Sequence, residues 1–178
     1  MARLLAIWCA LAATILVTPA QAADPQNTLV ITLQTGDVHV ELLPAQAPKH
    51  VARIKQLARA KFYDGIVFHR VIAGFMAQTG DPTGTGTGGS KLGHVKAEFS
   101  NYVYKRGTVG AARSRHPDSA DSQFFICFDD RGCRGLTGQY TVWGQVISGM
   151  EHVDQIKKGE PPSNPDRMLK AYILADKN

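Results

Sequence analysis

Arg70 and Gln78 stand eight residues apart, on either side of Phe75-Met76, in the run Phe68-His69-Arg70-Val71-Ile72-Ala73-Gly74-Phe75-Met76-Ala77-Gln78-Thr79-Gly80-Asp81. One permanent cation, two large apolar side chains and an amide thus share a segment that reads as strand, turn, strand. Ser122-Gln123-Phe124-Phe125-Ile126 repeats the mixture of amide and aromatics some fifty residues on. Neither run pairs a nucleophile with a base or gathers metal ligands. Residues of these types act by binding and electrostatics. The apolar side chains can hold a ring, the amide can grip a backbone, and the guanidinium can favour a state that exposes a lone pair.

Other chemistries fail on spacing. His39, His50, His69, His94, His116 and His152 are dispersed, with no HxH or HExxH pattern and no cysteine ligand pair, so neither a metal site nor a cofactor is expected. His39 and His50 read as surface residues, and His69, in an apolar strand, as buried and hydrogen-bonded. The glycines of residues 80–93 suggest a phosphate cradle, but Gly88-Gly89-Ser90-Lys91 reverses the order of a Walker A motif and no strong helix pattern follows. A flexible loop of tight turns is the expectation there. Ser90, Ser114 and Ser122 have no GxSxG elbow and no partner base nearby in sequence.

A reaction without a nucleophile suits the remaining set. Rotating an X–Pro bond meets a barrier of nearly ~20 kcal/mol from amide resonance. Unassisted, it takes tens to hundreds of seconds. Twisting frees the prolyl nitrogen lone pair to accept a hydrogen bond, which a guanidinium can donate. Each 1.36 kcal/mol of preference for that twisted state is worth about tenfold in rate. Taken singly, Phe75, Met76 and Phe125 would more often be core, Arg70 a surface ion-pair member and Gln78 a solvated strand residue.

The elements that must position these residues are mostly short strands. Leu29–Leu33 and Val38–Leu42 form a hairpin about Thr35-Gly36-Asp37, with Val38, Val40 and Leu42 on one face. Pro48 opens a helix in which Val51, Ile54, Leu57 and Ala58 recur at helical spacing. Val67–Ile72, Phe75–Thr79, Thr108–Ala112, Gln123–Phe128, Tyr140–Val146 and Leu169–Ala175 are further strands, and Met150–Lys157 a second helix. Such a pattern favours a closed β-barrel with helices at its ends.

The first 22 of the 178 residues read as a cleaved export signal: Arg3, then an apolar run from Leu4 to Val17, then Ala20-Gln21-Ala22. What remains is 156 residues, read as one domain spanning 23–178. Losing Arg3 takes the formal charge from +5 to +4, and the cations are scattered, so no nucleic-acid partner is expected. No membrane association is expected after cleavage, and the style of signal points to a bacterial periplasm. Cys127 and Cys133 could close a small loop in an oxidising compartment, or Cys127 could be a buried core thiol; the spacing leaves both open.

Four ordered blocks across residues 28–175 resemble the cyclophilins: Phe68–Asp81, Gly107–Ala112, Ser122–Cys127 and Leu136–Val146. The resemblance implies a mainly β fold, a closed eight-stranded antiparallel barrel capped by two α-helices, and peptidyl-prolyl cis-trans isomerase activity on proline-containing polypeptides. By that resemblance Arg70 is the catalytic arginine and Gln78 orients it. Phe75, Met76, Phe125 and Leu136 line the proline pocket, Gln123 flanks it, and the backbone of Ala112 and Arg113 pairs with extended substrate. Tyr140 falls where many members carry a histidine.

The chain departs from the family pattern at Ala73, usually proline, at Arg113, often asparagine, and most of all in Asp129–Gly135. That last stretch lacks the tryptophan of strong cyclosporin binders, so only weak cyclosporin binding is implied. A monomer is expected. A barrel that holds proline segments without turnover is the alternative, though a pure binder has no need of Arg70. An unrelated secreted barrel would differ in having a hollow interior.

Overall fold

The computed structural model describes residues 23–177. Its eight strands are β1 (Thr28–Leu33), β2 (Gly36–Leu42), β3 (Arg70–Ile72), β4 (Met76–Thr79), β5 (Thr108–Ala111), β6 (Phe124–Cys127), β7 (Val142–Ser148) and β8 (Lys170–Ile173). They form one antiparallel sheet in the order β3-β4-β6-β5-β7-β2-β1-β8. Register shifts at His39/Val40 and Val109/Gly110 mark where the sheet bends.

The barrel is not closed as expected: β3 and β8, the end strands, share no ladder. Single bridges, Val71 to Gly159 and Val67 to Arg167, cross the seam, so the sheet is a curled half-barrel. The reason lies in Gly159–Pro165, where Pro161, Pro162 and Pro165 have no N–H to donate to a ladder.

The helices also differ from expectation. Helix α1 (Pro48–Arg59) buries Val51, Ile54, Leu57 and Ala58 as its spacing predicts. Its Ala47 N-cap makes no side-chain cap bond, and the Glu98 carboxylate, far along the chain, accepts the N–H groups of Lys49 and His50, both at 3.0 Å. His50 is therefore not a surface residue. It is 3 % exposed, with Nδ1 2.7 Å from Glu98, and burial lowers its pKa. A short α2 (Asp130–Cys133) forms where none was expected, capped by the Asp129 side chain on the N–H of Arg131 at 2.8 Å. The last helix, α3, covers only Met150–Asp154, yet Val153 and Ile156 both remain buried.

Period-two alternation gives β4, β5 and β6 two occupied faces. Phe124 and Ile126 face the main core, where Tyr63, Phe124 and Trp143 meet edge to face at ring separations of 5.6 and 5.3 Å. Phe125 and Cys127 face outward into a smaller cluster with Met76, Tyr104, Ala112, Cys133 and Val142. Cys127 and Cys133 are disulfide-bonded there, which resolves the choice that spacing left open and ties α2 to β6.

The glycine-rich loop is wrapped around a carboxylate. Asp81, buried, accepts from the backbone of Thr83 at 2.7 Å, Gly86 at 2.6 Å and Gly88 at 3.1 Å, and from the Thr83 hydroxyl at 2.8 Å. Farther along, Asp121 accepts from both the backbone and the hydroxyl of Ser90 and pairs with Arg53 at 2.6 Å. Desolvation pushes the Asp81 pKa up, but the four donated hydrogen bonds outweigh it and bring it from 3.8 to about 2.

A carboxylate depressed on folding stabilises the fold above its unfolded pKa and loses that contribution as pH falls through the folded value. Asp81→Asn should lower stability at pH 7 by about 2 kcal/mol. Urea midpoints of the two proteins should converge between pH 4 and pH 2; a constant gap would remove the linkage. Replacing Cys127 and Cys133 by alanine should cost about 2 kcal/mol, the chain-entropy value for so short a loop. Equal urea midpoints for the variant and the oxidised parent would show that the bond adds nothing.

Candidate active site

Strand register sets the site. Arg70 on β3 lies opposite Gln78 on β4, Gln78 opposite Phe125 on β6, and Phe125 opposite Gly110 on β5. A cation, an amide and an aromatic ring therefore run in one row across the outer face of four strands. Gly110 ends the row because a Cβ there would collide with the Tyr104 hydroxyl and come within 2.6 Å of the Phe125 ring. Tyr104 stacks on Phe125 at 5.8 Å and donates to the Thr141 carbonyl at 3.3 Å.

A cavity of about 250 Å³ opens beside this row, lined by Arg70, Phe75, Met76, Gln78, Ala112, Arg113, Phe125, Leu136 and Tyr140. Met76 and Phe125 are buried and form its floor. The β3–β4 turn, closed by Phe75 N–H to Ile72 O at 3.1 Å with Gly74 at φ 69°, presents Phe75 at one rim. Opposite, α2 and the 3-10 turn Arg134–Leu136 present Leu136. Gly132 of α2 rests on the Gly74 carbonyl, with no room for a side chain. The Cys133 Sγ lies 3.3 Å from the Phe75 carbonyl oxygen, a contact rather than a hydrogen bond because a disulfide sulfur carries no proton.

Gln123, the remaining residue of the expected set, lines a larger adjoining cavity of about 770 Å³ together with Gln78, Ala112 and Arg113. It accepts from the Gln78 amide at 2.9 Å and donates to the carbonyls of Gly86 and Gly88 at 3.0 and 2.9 Å. The Asp81-centred loop thus anchors both amides.

Three arrangements at the site depart from expectation. Gln78 does not bond to Arg70; its amide is engaged with Gln123, and Arg70 Nε donates instead to Glu160 Oε2 at 2.8 Å. Arg113 contributes its side chain as well as its backbone. The guanidinium sits 4.4 Å over the Tyr140 ring and donates to the carbonyls of Ser114 and Gln139 at 3.0 and 3.1 Å. Tyr140 in turn meets Phe125 edge-on at 5.9 Å, so the three stack into one wall. His69 is buried beside the loop, but neither ring nitrogen has a hydrogen-bond partner, and burial lowers its pKa. The loop packs against the ring instead: a Cβ at Gly86 would lie 3.5 Å from His69 Cδ2 and Nε2.

Glu160 left no signal in the sequence because Arg70 lies 90 residues away, and the Asp81 loop was visible only as a run of glycines because its hold on Gln123 joins segments 35 and 37 residues apart. An Arg113–Tyr140 stack was equally invisible, since it depends on two loops meeting.

Comparison with known proteins bears on the same region. The model of the family described as cyclophilin type peptidyl-prolyl cis-trans isomerase/CLD matches residues 28–173. A probable peptidyl-prolyl cis-trans isomerase of Brucella suis is 53% identical, covering 88% of this chain and 87% of its own. The peptidyl-prolyl cis-trans isomerase of Helicobacter pylori is 42% identical over 75% of this chain and 83% of its own. Among solved structures, the cyclophilin AquaCyp293 of Hirschia baltica superposes with a TM-score of 0.79 at 29% identity, over 88% of this chain and 77% of that one. A Cryptosporidium parvum cyclophilin crystallised in the presence of the dipeptide Ala-Pro gives 0.75 at 29% identity, over 85% and 99%. With the family model spanning the whole sheet and relatives this similar on both sides, the chain belongs to the cyclophilin-type peptidyl-prolyl cis-trans isomerases.

Proposed function

We propose that the cavity over Met76 and Phe125 receives the pyrrolidine ring of an X–Pro segment while Arg70 acts on the prolyl nitrogen. The observation that carries this reading is the row Arg70–Gln78–Phe125, which sets a guanidinium at the rim of a cavity of about 250 Å³ floored by Met76 and Phe125. The peptide runs extended past Ala112 and Arg113. Ala112 N–H already donates to the Gln123 carbonyl at 2.9 Å, so pairing falls to the Ala112 carbonyl and the Arg113 N–H, which have no intramolecular partner among the described residues. Gln78, with its N–H₂ held by Gln123, turns its amide oxygen to the substrate backbone.

As the C–N bond twists, the nitrogen becomes an acceptor and the guanidinium donates to it. That bond exists only in the twisted state, so it lowers the barrier without deepening either ground state. Phe75 and Leu136 hold the ring still while the carbonyl side rotates. No covalent intermediate forms.

The cell biology is inferred from the residue pattern of positions 1–22 and from the disulfide. The export signal at residues 1–22 lies outside the described residues, and the Cys127–Cys133 bond supports an oxidising compartment. The protein then acts in the periplasm, as a monomer, on newly exported or unfolded chains. Cyclosporin binds weakly, because Arg134-Gly135 precede Leu136 where strong binders carry tryptophan. Lys91, His94 and Arg113 line the larger cavity, and its carboxylate, Asp121, is paired with Arg53, so acidic residues flanking the proline are favoured.

Isomer exchange of an Ala-Pro-Phe peptide, followed by NMR, tests the central role. Arg70→Ala should lower kcat/KM by about ten- to hundredfold, the range for losing one charge-assisted hydrogen bond. A folded parent that leaves exchange at the uncatalysed rate would defeat the enzymatic reading. For the charge preference, a peptide with glutamate beside the Ala-Pro should exceed its lysine counterpart in kcat/KM by about two- to fivefold at low salt, shrinking at high salt. Equal rates at both ionic strengths would remove it.

A further inference from the structure

Arg70 is held from outside the cavity by a residue 90 positions away. Its Nε donates to Glu160 Oε2 at 2.8 Å, and this is the only side-chain hydrogen bond Arg70 makes among the described residues. The fold builds the pair. Val71 and Gly159 exchange both backbone hydrogen bonds across the seam, at 2.8 and 2.9 Å. In an antiparallel bridge the flanking residues also face each other, so Arg70 stands directly opposite Glu160.

The Glu160 side of this pair is stiff. Gly159 sits at φ 149°, where a Cβ would come within 2.5 Å of Pro162 Cα, and Pro161 and Pro162 restrict the chain that follows. No other residue type fits the doubling-back that delivers Glu160 to Arg70.

The geometry divides the guanidinium into two edges. Glu160 engages the Nε edge and does not line the cavity, whereas Arg70 does. Both terminal nitrogens of Arg70 are without an intramolecular partner among the described residues, which leaves them for the cavity. The side chains of the pair are 41 % and 51 % exposed, so water screens the charge of Glu160 while the bond still fixes the plane of the guanidinium. An unrestrained arginine would search many rotamers before each productive encounter. With Gln78 given to Gln123, Glu160 is the one side chain among the described residues that hydrogen-bonds the guanidinium.

We infer that Glu160 is the positioning residue of this isomerase, holding Arg70 with its terminal nitrogens toward the prolyl nitrogen of the substrate. This rests on the proposed role of Arg70. A carboxylate that instead competed with substrate for the guanidinium would slow turnover, and its removal would speed it.

The test compares Glu160→Ala, Glu160→Gln and Arg70→Ala in the mature protein, using NMR exchange of an Ala-Pro-Phe peptide to separate kcat from KM. Glu160→Ala should lower kcat by about three- to tenfold with little change in KM, the signature of a lost orienting contact. Glu160→Gln keeps an acceptor oxygen and should recover most of the loss. The ¹⁵N relaxation of Arg70 Nε should report an ordered side chain in the parent and a mobile one in Glu160→Ala, a change that a merely structural role would not produce. In the Arg70→Ala background, Glu160→Ala should cost nothing further. Unchanged or faster turnover in Glu160→Ala, beside a large loss in Arg70→Ala, overturns the positioning role alone. Unchanged turnover in Arg70→Ala overturns the role of Arg70, and that of Glu160 with it.

Discussion

The pairing register of β3, β4, β6 and β5 is the constraint on which the rest of the site depends. A strand slipped by one residue turns every side chain to the other face. Slipping β4 against β6 would send Gln78 inward and bring Ala77 to the surface, leaving Arg70 and Phe125 with no amide between them. The register is secured from the opposite face, where Ala77, Phe124, Ile126 and Val109 are packed in the main core. Burial on one side of the sheet thus holds a row of half-buried and buried groups on the other.

That arrangement explains why the outer face has a core of its own. A pocket floor of Met76 and Phe125 would be soft if its backing were solvent. Tyr104, Val142 and the Cys127–Cys133 disulfide fill that space, and α2 carries Leu136 into place on the far rim. The cavity is therefore walled by short irregular pieces, each fixed at a few points: Asp129 caps α2, Gly132 rests on Gly74, and Arg113 stacks on Tyr140. Carboxylates play the same part in the loops, with Asp81 gathering residues 83–88, Asp121 holding Ser90, and Glu98 capping α1 from a distant loop.

Much of this was legible from residue order. Alternation marked the inner face of β2, helical spacing marked that of α1, and the two blocks around Arg70 and Phe125 held five of the nine residues that line the smaller cavity, the other four coming from the family resemblance. Local patterns carried these readings, because a strand or helix declares its buried face through the few residues next to it. Errors fell where a residue answers to a partner that no helix or strand period places beside it. His50 looks like a polar residue on a wet helix until Glu98 arrives from the 96–104 segment. Asp81 looks like the end of a strand, and the glycines after it like a flexible loop, until their N–H groups are seen converging on its carboxylate. The closed barrel failed for a related reason, since closure depends on whether two end strands meet, and the prolines after Gly159 prevent a ladder.

Taken alone, the order of residues determined the strand content, the inner faces, and the presence of an arginine, an amide and aromatics on segments of fixed spacing. These follow from periodicities of two and 3.6, which any short window reveals. Tertiary structure alone decided which edge of the Arg70 guanidinium is free, what holds Gln78, and how the two cysteines pair. Each is a contact that local spacing leaves open: Arg70–Glu160 crosses the seam, Gln78–Gln123 joins neighbouring strands, and Cys127–Cys133 ties β6 to α2. A hydrogen bond at 2.8 Å between residues 70 and 160 depends on the path of the whole chain between them, and no local pattern encodes that path.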